Sequence, residues 1–154
     1  MGIILQLGLL GKIIIAGLLA GAVGLEREFA EKPAGLRTHM LVGATAAFLV
    51  SLDLRAIDVL KSLNLIRPDP TQLITAIVIG VSFLGAGTIF RRPSDNQEPI
   101  QGLTTGASVL SVAAIGIAVA LDAYVLAIGV TIRDLFVNWG LSYLEQRVKR
   151  EVRK

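Results

Sequence analysis

Cysteine is missing from this 154-residue chain, and histidine occurs once, at position 39. Their scarcity removes thiol nucleophiles, disulfide frameworks and Cys/His zinc sites. Charged residues make up only 18% and aromatic residues 5%, whereas an ordinary soluble domain is about 25% charged. No nucleophile–base pair or ligand set stands out, so an enzyme is not expected. What the chain has in excess is apolar surface: 53% hydrophobic residues and 16 glycines, with a mean hydropathy of +0.68. Its charges are bunched between long apolar runs, the pattern of an integral membrane protein. The net charge of +3 therefore points to a membrane face and not to nucleic acid. No linker or shift of composition divides the chain, so residues 1–154 are expected to form one domain.

The expected fold class is all-α: a polytopic membrane protein with five transmembrane helices, over about 3–25, 36–54, 71–90, 103–121 and 124–141. Each run approaches the roughly 20 apolar residues that cross a bilayer. The first lacks a basic start and a small-residue cleavage site, so it reads as a retained span. All five prolines fall between the runs, where they punctuate helices. The first, third and last connections hold ten basic residues, among them Arg27, Lys32, Arg37, Arg91 and Arg92, while the opposite face holds Arg55, Lys61 and Arg67. The positive-inside rule then places the N-terminus outside and the C-terminus in the cytoplasm. In the long outer connection 53–70, Leu54, Ile57 and Leu60 form an apolar stripe opposite Asp58 and Lys61. That spacing predicts a short surface helix with an Asp58–Lys61 pair; an irregular loop is the alternative.

Small residues form faces on the spans. Gly17, Gly21 and Gly24 lie on the first, Gly85 and Gly87 end the third, and Gly102 and Gly106 open the fourth. Membrane helices associate through such close backbone packing, so these faces predict tight helix contacts or a homo-oligomer surface. Thr104 and Thr105 at a helix start suit capping, or an anion.

Ionisable groups at bilayer depth are costly and are candidates for function. Lys12 lies nine residues into the first span, and Arg133 and Asp134 lie nine and ten residues beyond Tyr124. The matched depths predict a Lys12–Asp134 ion pair between the first and fifth spans. The densest cluster is the inner connection, with Glu26, Arg27, Glu28, Glu31, Lys32, Arg37, Thr38 and His39. Glu26 and Glu28 are candidates for a hard cation such as Mg²⁺; the neighbouring arginines and lysine are equally able to neutralise them. His39 is a hydrogen-bonded structural group or a protonation site.

These same residues carry a resemblance. Gly24-Leu-Glu-Arg-Glu28 followed by Lys32-Pro-Ala-Gly-Leu-Arg-Thr-His39, then Asp69-Pro70, Phe83-Leu-Gly-Ala-Gly-Thr88 and Gly102-Leu-Thr-Thr105, resemble in order the signature blocks of the MgtC/SapB family of small bacterial membrane proteins. The resemblance spans about residues 10–121. It implies a five-span inner-membrane protein of a virulence-associated family linked to growth at low magnesium. Transport is not the family's established activity, and one relative is understood to restrain the proton-translocating ATP synthase. Ser82 stands where the family more often has glycine, and Gln72 where arginine is expected. About 15 residues follow Trp139, so function resident in the soluble C-terminal domain of some relatives is not expected here.

Together these features predict a regulator or adaptor in magnesium and ion homeostasis, working through a membrane protein partner and forming a homodimer or other homo-oligomer. The polar site would consist of the inner cluster with Arg91, Arg92, Thr104 and Thr105. No cofactor is expected, with Mg²⁺ the one candidate. The competing class is a transporter or channel for Mg²⁺ or another cation.

Overall fold

The computed structural model describes residues 2–62, 69, 71–90 and 101–152, with side chains as far as residue 140. Five helices follow one another: α1 (Ile3–Phe29), α2 (Leu36–Ser62), α3 (Thr71–Gly87), α4 (Leu103–Ala120) and α5 (Tyr124–Val152). Among the described residues the only other pairing is an isolated bridge between Phe90 and Gln101.

The helices pack inside out relative to a soluble bundle. The buried core is built from small and β-branched residues: Ala16, Ala20, Ala46, Ala47 and Ala113 with Val23, Val109, Val112 and Val119. The large apolar side chains, such as Leu18, Phe48, Phe83, Val125, Ile132 and Phe136, point outward and are exposed. Three helices, α1, α2 and α4, are long and apolar enough to cross a membrane by length and composition. The chain is an all-α membrane protein. Lipid offers no hydrogen bonds, so a helix, which satisfies its backbone internally, is the form an unpaired segment takes there.

The central helix is α4, which packs against all four others. Glycine sets how closely they approach. A Cβ on Gly43 would lie 2.5 Å from that of Ala20 on α1 and 3.3 Å from the Val112 carbonyl oxygen on α4. A Cβ on Gly116 would collide with the Gly43 carbonyl, so α2 and α4 touch backbone to backbone. Gly85 on α3 and Gly106 on α4 do the same for each other. Of the expected packing glycines, Gly24, Gly85 and Gly106 sit against a neighbouring backbone, and Gly21 lies under the Met40 side chain. Gly17 makes an ordinary contact to Ala44, and Gly87 faces open space. Gly102 serves a different end: at φ 90° it begins α4 in a left-handed conformation, and a Cβ there would strike Thr88.

Two turns share one geometry. After α1, Glu31 N–H bonds Glu28 O and Lys32 N–H bonds Arg27 O, each at 3.0 Å, with Glu31 at φ 53°. After α4, Asp122 and Ala123 bond Val119 and Ala118 in the same way, with Asp122 at φ 62°. Both are left-handed helix stops of the kind that glycine usually fills. The apolar stripe beyond Asp53 is no separate surface helix: α2 runs through it to Ser62, and its charge contact is Arg55–Asp58 at 3.4 Å, not Asp58–Lys61. A helix already hydrogen-bonded has no reason to break where its surroundings change from lipid to water.

Candidate functional site

Among the described residues, α1, α2, α4 and α5 bury seven polar side chains besides Ser51: Arg27, His39, Thr105, Ser108, Thr131, Asp134 and Asn138. Each comes from the inner face of its helix. Thr105 and Ser108 are three apart on α4, and Thr131, Asp134 and Asn138 recur at helical spacing on α5.

Arg27, only 3% exposed, forks onto Glu26, with Nε to Oε2 at 2.5 Å and Nη2 to Oε1 at 2.6 Å. The pair is a closed unit in which charge is cancelled and two donors are satisfied. Glu28 points elsewhere. Its Oε2 accepts the backbone N–H of Leu36 at 2.9 Å, which places a carboxylate at the positive end of α2. Gly35 makes that approach possible, because a Cβ there would overlap the Glu28 carboxylate.

His39, fully buried, donates from Nδ1 to the Gly35 carbonyl at 2.9 Å, because a carbonyl can only accept. Its Nε2 lies 3.0 Å from Ser108 Oγ, which in turn lies 2.9 Å from the Thr105 carbonyl. Ser108 has one proton for two acceptors when the imidazole is neutral. The single Ser108 hydroxyl thus links the imidazole on α2 to the backbone of α4. Glu26, Arg27 and Asp134 all lie within electrostatic reach of the ring.

On α5, Arg133 donates to Asp134 Oδ1 from Nε at 3.1 Å and from Nη2 at 2.6 Å, and to Ser111 Oγ at 2.9 Å. Oδ2 of Asp134 and Nδ2 of Asn138 are buried and have no partner among the described residues.

The expected Lys12–Asp134 pair does not form. Lys12 Nζ meets Asp122 Oδ2 at 2.7 Å and the Ala120 carbonyl at 3.1 Å. The expectation assumed that every span begins at one plane. Instead α1 starts well before the α4–α5 turn, and Lys12 stands level with that turn. The Lys12 ammonium holds the Asp122 carboxyl below its ordinary range.

The inner cluster is divided by the fold. Glu26, Arg27, His39 and Thr105 belong to the buried site, whereas Glu28, Lys32, Arg37, Thr38 and Thr104 are exposed. Arg91 and Arg92 lie outside the described residues. Glu26 is engaged by Arg27 and Glu28 by the Leu36 amide, and no group of three His, Asp or Glu side chains converges among the described residues. These side chains do not fit a divalent cation. In the sequence Ser108 reads only as one more small residue of the fourth span, and Ser111, Thr131 and Asn138 go unnoticed. Helical spacing about Asp134 was the signal that could have found two of them.

The pattern of the MgtC family matches residues 13–147. The chain is 40% identical over 127 residues to the "Putative magnesium transporter YhiD" of Escherichia coli K12, covering 82% of this chain and 57% of that protein. It is 36% identical over 107 residues to protein SapB of Bacillus subtilis, covering 70% of this chain and 45% of SapB. To protein MgtC of Salmonella typhimurium LT2 it is 33% identical over 138 residues, covering 89% of this chain and 54% of MgtC. It thus spans about half the length of these relatives. No solved structure matches it. With Arg27, His39 and Thr105 buried at signature positions, and a match over residues 13–147, the chain belongs to the MgtC family.

Proposed function

We propose that the protein is a non-enzymatic regulator in magnesium and ion homeostasis, a multi-pass protein of the bacterial inner membrane with five crossings and a cytoplasmic C-terminus. One observation carries this reading. The two carboxylates of the buried site, Glu26 and Asp134, are each ion-paired to the adjacent arginine. A path for Mg²⁺ calls for oxygen ligands free to replace water, and a carboxylate already held by its neighbouring arginine does not offer them freely. The His39–Ser108 link joins α2 to α4 and is suited to couple the packing of those two helices to a bound partner. Through that packing the protein would modulate a membrane partner, of which a proton-translocating ATP synthase is the example the family suggests.

A transporter is the second reading. The name of the Escherichia coli relative favours it, as does the unpartnered buried Oδ2 of Asp134. The test is growth of the bacterium at limiting magnesium with Glu26→Gln and Arg27→Gln combined. The amide pair keeps the packing and removes both charges. Growth as in wild type supports the regulator; loss of growth with normal membrane levels supports a cation site.

A further inference from the structure

Between α2 and α3 runs an apolar groove of about 420 Å³. It exists because α3 packs chiefly on α4 and only lightly on α2. Leu41, Thr45 and Leu49 line one wall, and Ile77, Gly80 and Leu84 the other. Along α2 these wall residues continue a row of four-residue steps from Arg37, so Arg37 stands one turn before Leu41 at the mouth. Thr38 stands likewise one turn before Val42. Arg37 and Thr38 are both exposed, and Arg37 forms no ion pair among the described residues.

From Arg37 to Leu49 the row advances 12 residue steps, about 18 Å at 1.5 Å per residue. One leaflet of hydrocarbon is about 15 Å deep, half of the roughly 30 Å core. The lining from Leu41 to Leu49 covers about 12 Å of that depth, and the exposed Arg37 and Thr38 stand one turn beyond it, at headgroup level. Basic groups beside a cleft between helices recognise anionic headgroups, and a guanidinium matches a phosphate with two parallel donors. We propose that this groove is a binding site for an anionic phospholipid, with one acyl chain between α2 and α3 and its phosphate on Arg37.

Native mass spectrometry of the purified full chain tests this, with phosphatidylglycerol and phosphatidylcholine as probes. Wild type is expected to retain phosphatidylglycerol in preference. Arg37→Gln should weaken that retention about five-fold, the effect of roughly 1 kcal/mol for one basic group near the headgroups. Gly80→Leu should block both lipids, because a side chain at Gly80 meets open space in the groove. Both positions are away from the core, and thermal unfolding checks that the variants fold. Retention unchanged in either variant overturns the site. Cysteine cross-linking from Leu49 to a second copy, in place of lipid, also overturns it.

Discussion

Replacing Gly116 by alanine should destabilise the bundle, while the same replacement at Gly129 should not. Alanine gains about 1 kcal/mol over glycine in a helix interior, so both variants begin with the same advantage. At Gly129 nothing lies within 4 Å of an added Cβ, and the advantage survives. At Gly116 the added carbon meets the Gly43 carbonyl and lies 3.1 Å from the Ala46 Cβ. Carbon atoms prefer separations of about 3.5–4.0 Å, and a backbone carbonyl inside a helix cannot turn away. The helices α2 and α4 must move apart, loosening the seam that also holds the His39–Ser108 bond. Overpacking of this kind costs about 1–3 kcal/mol, here at the upper end because backbone meets backbone. The net expectation is a loss of about 1–2 kcal/mol for Gly116→Ala and a gain of up to about 1 kcal/mol for Gly129→Ala. Reversible SDS titration of the purified protein in mild detergent, followed by helical circular dichroism, measures both. A Gly116→Ala protein as stable as Gly129→Ala would refute backbone contact as the basis of the α2–α4 seam.

Other perturbations probe the charges and turns. Replacing the largely exposed Arg133 by methionine leaves the buried Asp134 carboxylate without its partner and should cost about 1–3 kcal/mol; adding Asp134→Leu should recover most of that loss in the same titration. The Asp122 carboxyl is held low by its hydrogen bond from Lys12, so its contribution is present above the unfolded value of 3.8 and fades as pH falls through the lower folded value. Lys12→Met should therefore flatten the stability profile below about pH 4, by less than about 1 kcal/mol because Asp122 is exposed; an unaltered acid limb would argue against the contact. Glu31→Gly removes the cost of a left-handed turn residue and should raise the unfolding temperature by a few degrees, corresponding to about 1 kcal/mol, whereas Glu31→Val should lower it.

Hydropathy gave the number and starting points of the helices, because apolar runs and prolines mark them directly. It placed their ends too early in α1 and α2, since Glu26–Phe29 and Arg55–Ser62 remain helical after the apolar run has ended. Helix hydrogen bonds do not depend on whether the side chains face lipid. The ion pairs were legible as residues and not as partners. Lys12 chose Asp122 over Asp134 through the relative height of two helices, and no single run carries that information. Gly43 and Gly116 escaped for the same reason: each is isolated in its own helix, and their meeting becomes visible only once α2 and α4 are set side by side. The cluster Glu26–His39 was conspicuous as a charge run, but only the fold separates the buried Arg27 and His39 from the exposed Arg37 and Thr38.

The central claim is that the carboxylates of the buried site are neutralised in place and do not conduct a cation. Mg²⁺ entry into liposomes containing the full chain and an internal indicator dye tests it directly, with Glu26→Gln and Asp134→Asn alongside. The account predicts the same slow leak as in protein-free vesicles for all three proteins. Saturable Mg²⁺ entry by the wild type, lost in either variant, would contradict it and make the buried site a cation path.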